Sequence, residues 1–262
     1  MTAAGDRAGI DADLAFALSL ADDADAVTLG RFRAADLHVE TKVDRTPVSE
    51  ADRLAERLLR QRLAAERPHE RVLGEEEGGA EGGGTGGRWV LDPIDATKNY
   101  VRGIPVWATL LALDDRVAVV SAPALGRRWW AARGAGAWTR DLDGCVRRLR
   151  VSSVARVEEA TLAYTSLEGW DARFHDLLAA AAAARGYGDF WQYVLLAEGA
   201  VDGCLERVAA EWDLAAPKLV VEEAGGRLTD LAGADRADGG SAVASNGLLH
   251  DELLATLAPG RR

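Results

Sequence analysis

The chain is expected to fold as an α+β half (residues 1–150) followed by an α/β half (residues 151–262), with helices and sheets stacked in layers. Three observations carry this expectation. Two helical segments open the chain. Residues 106–151 then read as short strands separated by Asp, Gly and Pro turns, the pattern of an antiparallel sheet. After Ser152 the rhythm changes to alternating strand and helix, with no internal repeat.

Taken in order, Leu14, Ala17, Leu18, Ala21, Ala24 and Val27 share one helical face, so residues 11–33 read as an amphipathic helix. Ser49 is placed as the N-cap of a second helix, with Asp52 at its third position and Leu54, Leu58 and Leu59 behind it. That helix is expected to end near Ala65. Val72-Leu73-Gly74 reads as a short strand followed by Glu75-Glu76-Glu77. The tract 78–87 is rich in glycine, but Arg88-Trp89 opens a strand after it. A phosphate loop would need Lys-Ser/Thr opening a helix there, so the tract is read as a flexible hairpin tip.

Strands are expected at 106–113, 116–121, 128–132, 137–140, 147–151 and 161–166. Residues 172–185 read as a helix, 193–198 as the start of another, and 203–206 as a strand. A helix is expected from about Asp213 to Gly225-Gly226, with Pro217 tolerable only in its first turn. Strands at 228–231 and 242–244 and a helix at 248–257 complete the chain.

A length of 262 residues suits one large domain or two tightly joined halves. No charge-depleted run reaches membrane-spanning length. The N-terminus has neither the basic nor the apolar region of a signal peptide. Cys145 and Cys204 stand far apart and form no motif, so a reducing cytoplasm is the expected setting. The net charge of −11 argues against nucleic acid or an anionic membrane as partner. It also repels a phosphate ester unless cations intervene.

The most informative segment is Trp89-Val-Leu-Asp92-Pro-Ile-Asp95-Ala-Thr97. An apolar strand is expected to stop at Asp92, where proline removes a ladder donor. A second carboxylate follows three residues later and a hydroxyl two after that. Two hard oxygen ligands on one tight turn suit Mg²⁺, with the Ile94 carbonyl as a third. The plain alternative is an Asp-Pro turn with no ligand. Asp52, Glu75, Glu76 and Asp213 also sit at strand ends or helix starts, where side chains can converge. Each has a plain reading as a cap or a solvated charge. His38, His69, His175 and His250 show no paired spacing, which disfavours zinc and favours Mg²⁺, with Mn²⁺ as a substitute.

Four separated pieces then resemble the inositol-monophosphatase-like metal-dependent phosphatases. They are Lys42, Asp44 and Val48-Ser-Glu-Ala-Asp52; Gly74-Glu75-Glu76; Asp92-Pro-Ile-Asp95-Ala-Thr97; and Trp212-Asp213-Leu-Ala-Ala with Glu223-Ala-Gly-Gly226. They stand in the family's order and span most of the chain. The resemblance implies a five-layer αβαβα sandwich. It implies that Glu75, Asp92, Asp95, Asp213 and the Ile94 carbonyl hold two Mg²⁺ ions, with Glu76 helping to hold a weaker third. Most of these ligands fall in the first half, and Asp213 with the specificity residues in the second. Asp52 and Thr97 would polarise the attacking water, and Asp95 with the Ala96 and Thr97 amides would meet the phosphate. One departure is Ala96, where the family usually carries glycine. A β-carbon is costly if φ is positive there, so the fold is expected to tolerate it at some cost in turnover.

Within that family, residues 98–107, 121–130, 186–191 and 240–251 resemble the bacterial, especially actinobacterial, branch acting on histidinol phosphate. That substrate carries an amine and an imidazole, so its pocket should offer carboxylates and an aromatic face. Asp189 and Glu206 are the candidates, against readings as a helix cap and a surface residue. Trp107, Trp129, Trp130 and Trp191 read as core or dimer contacts, and Arg127 and Arg128 as solvated or interface charges. The expected reaction is direct hydrolysis of a small-molecule phosphate ester by a homodimer. The rivals are an inositol, fructose or nucleotide phosphatase of the same family, and a non-catalytic metal-binding relative.

Overall fold

A computed structural model describes residues 3–43, 45–79 and 86–257. Asp44 of the first motif and most of the expected glycine-rich tip lie outside the described residues. In chain order the elements are α1 (Ala3–Arg31), β1 (Val39–Thr41), β2 (Pro47–Ser49), α2 (Glu50–Glu66), β3 (Arg71–Gly74), β4 (Gly78–Gly79) and β5 (Arg88–Asp95). Then follow α3 (Thr97–Val101), β6 (Ala108–Leu113), β7 (Val117–Ala122), β8 (Arg127–Ala132), β9 (Gly136–Arg140) and β10 (Val146–Arg148). The second half holds β11 (Thr161–Tyr164), α4 (Ala172–Ala180), β12 (Ala183–Arg185), α5 (Asp189–Ala197) and β13 (Gly203–Glu206). It closes with α6 (Glu211–Glu223), β14 (Arg227–Thr229), β15 (Ala242–Ser245) and α7 (His250–Leu257).

Five layers result. A sheet in the order β10-β9-β8-β7-β6-β5-β3-β4 carries α1 and α2 on one face, around Leu20, Leu59, Leu63, Trp89 and Leu111. Its other face packs on α5 and α6, through Val90, Leu110, Val120, Leu214 and Val220. The same two helices lie on the second sheet, β12-β11-β13-β15-β14, whose far face is covered by α4 and α7 around Phe174, Leu205, Val243 and Leu253. The central helices therefore bury apolar surface on both sides. This is the expected αβαβα sandwich.

Several boundaries differ from the sequence reading. The strand carrying Asp92 does not stop there; β5 runs on to Asp95, and its register with β6 shifts between the two aspartates. The shift is a bulge at Pro93-Ile94, held by a hydrogen bond from the Thr109 hydroxyl to the Pro93 carbonyl, 2.8 Å. Residues 172–185 are not one helix. The chain extends at Ala181 (φ −70°, ψ 152°), and Ala183–Arg185 becomes an edge strand parallel to β11, so sheet pairing overrides the helix propensity of the alanine run. Helix α6 begins two residues before Asp213, which puts Pro217 at its seventh position, beyond the first turn. Its missing N–H cannot bond the Asp213 carbonyl four residues back. The short pair β1–β2 and the one-turn α3 carry too few residues to show a period.

Candidate active site

The first helix-borne carboxylate is fixed by its cap. Ser49 accepts from the Ala51 amide, while Asp52 Oδ2 accepts from the Ser49 amide at 2.8 Å and from its hydroxyl at 2.6 Å. Asp52 is fully buried, and burial first, with the nearby Glu75 charge, pushes its carboxyl up to about 6. Its Oδ1 lies 3.3 Å from Thr97 Oγ1, which also reaches the Ile94 carbonyl at 2.9 Å. A single hydroxyl hydrogen serves one of these acceptors at a time.

The bulge in β5 turns Asp92 and Asp95 to the same side. Carboxylate oxygens of Asp92, Asp95 and Asp213 all lie within 4.8 Å of one another. Burial, then the charges of Glu75, Asp95 and Asp213, raises Asp92 well above the carboxylate range; burial, then Asp189 and Asp213, does the same to Asp95. Asp213 is held at the start of α6 by the Ala210 amide, 2.7 Å from its Oδ2, and is pushed up to about 7 chiefly by burial. Such a trio cannot stay ionised in a buried wall without a counter-charge. All-oxygen donors at this spacing fit a hard divalent cation. Glu75 and Glu76 point at a cation already: Lys42 Nζ lies 2.8 Å from Glu75 Oε1 and 2.7 Å from Glu76 Oε1. Burial alone would lower Lys42, but the hydrogen bonds to the two glutamates outweigh it and raise it.

Glu75, Asp92, Ile94, Asp95, Ala96, Thr97, Asp189, Glu206 and Asp213 all line one cavity of about 420 Å³. Asp52 and Glu76 do not line it; Asp52 reaches it through Thr97, and Glu76 lies beside Lys42. Ala96, between Asp95 and Thr97, has φ 66° and ψ 44°, the left-handed region where a β-carbon is strained.

The second half adds two more carboxylates to this cavity. Asp189, at the start of α5, is largely buried and raised by that burial, against the pull of Lys98. It too sits at positive φ, 48°, just after Gly188. The next amide, Phe190, donates to Asp95 Oδ2 at 2.7 Å, tying α5 to the carboxylate trio. Glu206 is buried, receives the Tyr193 hydroxyl at 2.5 Å and the Gln192 amide at 3.2 Å, and is pushed up to about 7 mainly by burial. Tyr193 and Trp212 give the cavity aromatic surface.

The four tryptophans named from sequence are absent from this lining. Trp107 and Trp129 are core, and Trp191 meets Trp129 edge-on at 5.9 Å. Arg127 and Arg128 are not solvated: Arg127 pairs with Asp141 and Glu198, and Arg128 with Asp25 and Asp22. Lys42 enters the sequence reading only as part of the first motif, without a role of its own, and Lys98 and Tyr193 have none. A larger cavity, about 640 Å³, lies across α6, but its charges pair with one another, as in Arg88–Glu211, Arg133–Glu222 and Lys218–Asp235.

The layered fold brings together a carboxylate cluster able to hold a hard divalent cation. The sequence profile of the inositol monophosphatase family matches residues 10–260, and the chain belongs to that family. It is 54% identical over 258 residues to the histidinol-phosphatase of Mycobacterium tuberculosis, covering 95% of this chain and 98% of the relative. The histidinol-phosphatase of Streptomyces coelicolor is 52% identical over 259 residues, covering 94% and 96%. Among solved structures, the extragenic suppressor protein suhB of Bartonella henselae superposes with a TM-score of 0.81 at 28% identity, over 93% of this chain and 97% of the other.

Proposed function

We propose that this protein hydrolyses L-histidinol phosphate to L-histidinol and phosphate in histidine biosynthesis, with Mg²⁺ as its cation and Mn²⁺ as a substitute. The observation that carries the substrate is a further pair of buried carboxylates, Asp189 and Glu206, lining the same cavity as the Asp92–Asp95–Asp213 trio. A phosphate needs cations at one end of such a cavity. A cationic amine or imidazole in the same cavity relieves the cost of the two further buried carboxylates. Identity above half to two histidinol-phosphatases supports the same substrate.

Glu75, Asp92, Asp95, Asp213 and the Ile94 carbonyl are assigned to hold two cations, with Glu76 toward a third. Bound cations would neutralise the phosphoryl oxygens and ease ionisation of the attacking water. The chain's own groups do the rest. Thr97 orients the water, and Asp52, already in contact with the Thr97 hydroxyl, takes its proton. The water oxygen forms the new P–O bond as the ester P–O bond breaks opposite it, and the departing alkoxide takes a proton from solvent water while Asp52 returns its proton to solvent. The Ala96 and Thr97 amides, with Asp95 behind them, meet the phosphate. Asp189 and Glu206 hold the amine and imidazole.

Homodimeric assembly in the cytoplasm belongs to the same proposal, since two-fold oligomers are the commonest kind. The testing experiment compares phosphate release from L-histidinol phosphate and myo-inositol 1-phosphate at equal concentration with Mg²⁺. A large preference for the first, abolished by EDTA, is expected. Preference for the inositol ester would keep the cation site and overturn the substrate. No release from any ester would point to the non-catalytic reading.

A further inference from the structure

One buried carboxylate has no part in the reaction described above. Glu56 lies one helical turn beyond Asp52 on α2, so both side chains project from the same face. It is fully buried. Its Oε2 accepts from the Glu76 amide at 2.8 Å and its Oε1 from the Glu77 amide at 3.1 Å. Arg60 Nε supplies a third donor to Oε1, at 2.8 Å, and also binds the Gly78 carbonyl on the far side of the same turn. Charge-assisted bonds of this kind are the stronger and shorter ones.

The backbone is shaped to admit this group. A Cβ on Gly74 would stand 2.1 Å from Glu56 Oε1, 2.5 Å from its Cδ and 2.9 Å from Arg60 Nη2. Gly74 has an ordinary φ, so what it supplies is space, not conformational freedom. The glycine immediately before Glu75-Glu76 is therefore the gap through which a helix-borne carboxylate reaches the turn.

We propose that Glu56 is a positioning residue that fixes the Glu75–Glu77 turn relative to Asp52 and thereby sets the affinity of the site for divalent cations. This rests on the reading of the acidic cluster as a cation site. Through Glu56, one rigid helix holds both the residue that meets Thr97 and the backbone from which Glu75 and Glu76 project. Loss of the latch leaves the turn free to follow Lys42, which already grips both glutamates.

The test measures Mn²⁺ binding to the whole protein by calorimetry, without substrate, in the parent, Glu56→Gln and Asp213→Asn. Glu56→Gln keeps the side-chain shape and removes the charge. Its Mn²⁺ affinity is expected to fall by about tenfold or more, the range found when groups supporting metal ligands are removed. Faster hydrogen exchange at the Glu76 and Glu77 amides should accompany the loss, and kcat at saturating Mn²⁺ should recover most of the parent value. Should Glu56→Gln fail to fold, Arg60→Gln, on a half-buried residue, is expected to weaken Mn²⁺ in the same direction. Parent-like affinity in a folded variant whose two amides exchange faster would overturn the positioning role alone. If the parent itself takes up no Mn²⁺, or Asp213→Asn binds it as well as the parent, the cation-site reading falls and the proposal with it.

Discussion

Helices α2 and α6 begin alike and serve the site differently. Each carries an aspartate at its third position that accepts from the N-cap amide, Asp52 from Ser49 and Asp213 from Ala210. Ser49 also gives Asp52 its hydroxyl, whereas Ala210 has none to give. Asp52 is thereby held back behind Thr97, while Asp213 stands in the cavity wall with Asp92 and Asp95. A common capping device thus produces two kinds of carboxylate. In the proposed reaction the carboxylate with the cap hydroxyl takes a proton, and the one without it meets a cation.

The largest effect is expected at α6. Asp213→Asn keeps an acceptor for the cap but loses the charge, and phosphate release should fall by about 10⁴-fold, several kcal/mol at about 1.4 kcal/mol per decade. A modest loss in a steady-state assay would show that Asp213 is only a cap. Asp52→Asn comes next, with kcat down about 10²–10³-fold and KM little changed, as for loss of a general base. Near-normal turnover would remove Asp52 from the proton transfer.

Acidity offers a third handle on the same pair. Asp52, pushed up to about 6, and Glu76, Glu206 and Asp213, each pushed up to about 7, bind protons more tightly folded than unfolded. Their protonated forms contribute stability that is fully present below the unfolded carboxylate range and is lost as pH rises through 6 to 7. The metal-free protein should therefore melt at lower temperature at pH 8 than at pH 5.5, and added Mg²⁺ should recover most of the difference. Buried His250, lowered to about 4 mainly by burial, works in the opposite direction, its neutral form losing stability as pH falls below the usual imidazole value. Melting curves with EDTA and with Mg²⁺ settle the balance; a metal-free melting point that rises between those pH values would contradict the assignment.

A smaller change converts one helix start toward the other. Ser49→Ala makes the α2 cap resemble that of α6 and should cost about 1 kcal/mol, or roughly 2–4 °C in melting temperature. An unaltered melting point would mean that the hydroxyl places Asp52 without stabilising the helix. Least of all should be Ala96→Gly. Relief of the left-handed backbone is offset by greater freedom in the unfolded chain, leaving a gain of about 0.5 kcal/mol. Turnover should rise with it; an unchanged rate would show that the Ala96 β-carbon does not hinder the phosphate.

What the sequence could disclose follows from range. Asp52 was legible because a Ser-x-x-Asp cap is local, and Asp92 and Asp95 because proline breaks a strand in a recognisable way. The strand at Ala183–Arg185 was not legible, since an alanine run favours helix until a neighbouring strand claims its backbone. Pro217 misled for a related reason: helix α6 starts earlier than its apolar pattern indicates and accepts the proline inside. Lys42 and Glu56 act across the fold, one on the side chains of Glu75 and Glu76 and the other on the amides of Glu76 and Glu77. Neither relation leaves a mark along the chain.

The central position of α5 and α6 also bears on how the chain is made. All strands of the large sheet are synthesised before the helices that cover its inner face. The cover over Val90, Leu110 and Val120 therefore depends on residues up to Glu223. Residues 1–150 expressed alone are accordingly expected to aggregate, and co-expression with 151–262 to restore soluble protein. The two halves share one core, and the helix that completes it is the one that delivers Asp213. Helix α6 thus both covers the inner face of the large sheet and carries the Asp213 carboxylate to Asp92 and Asp95.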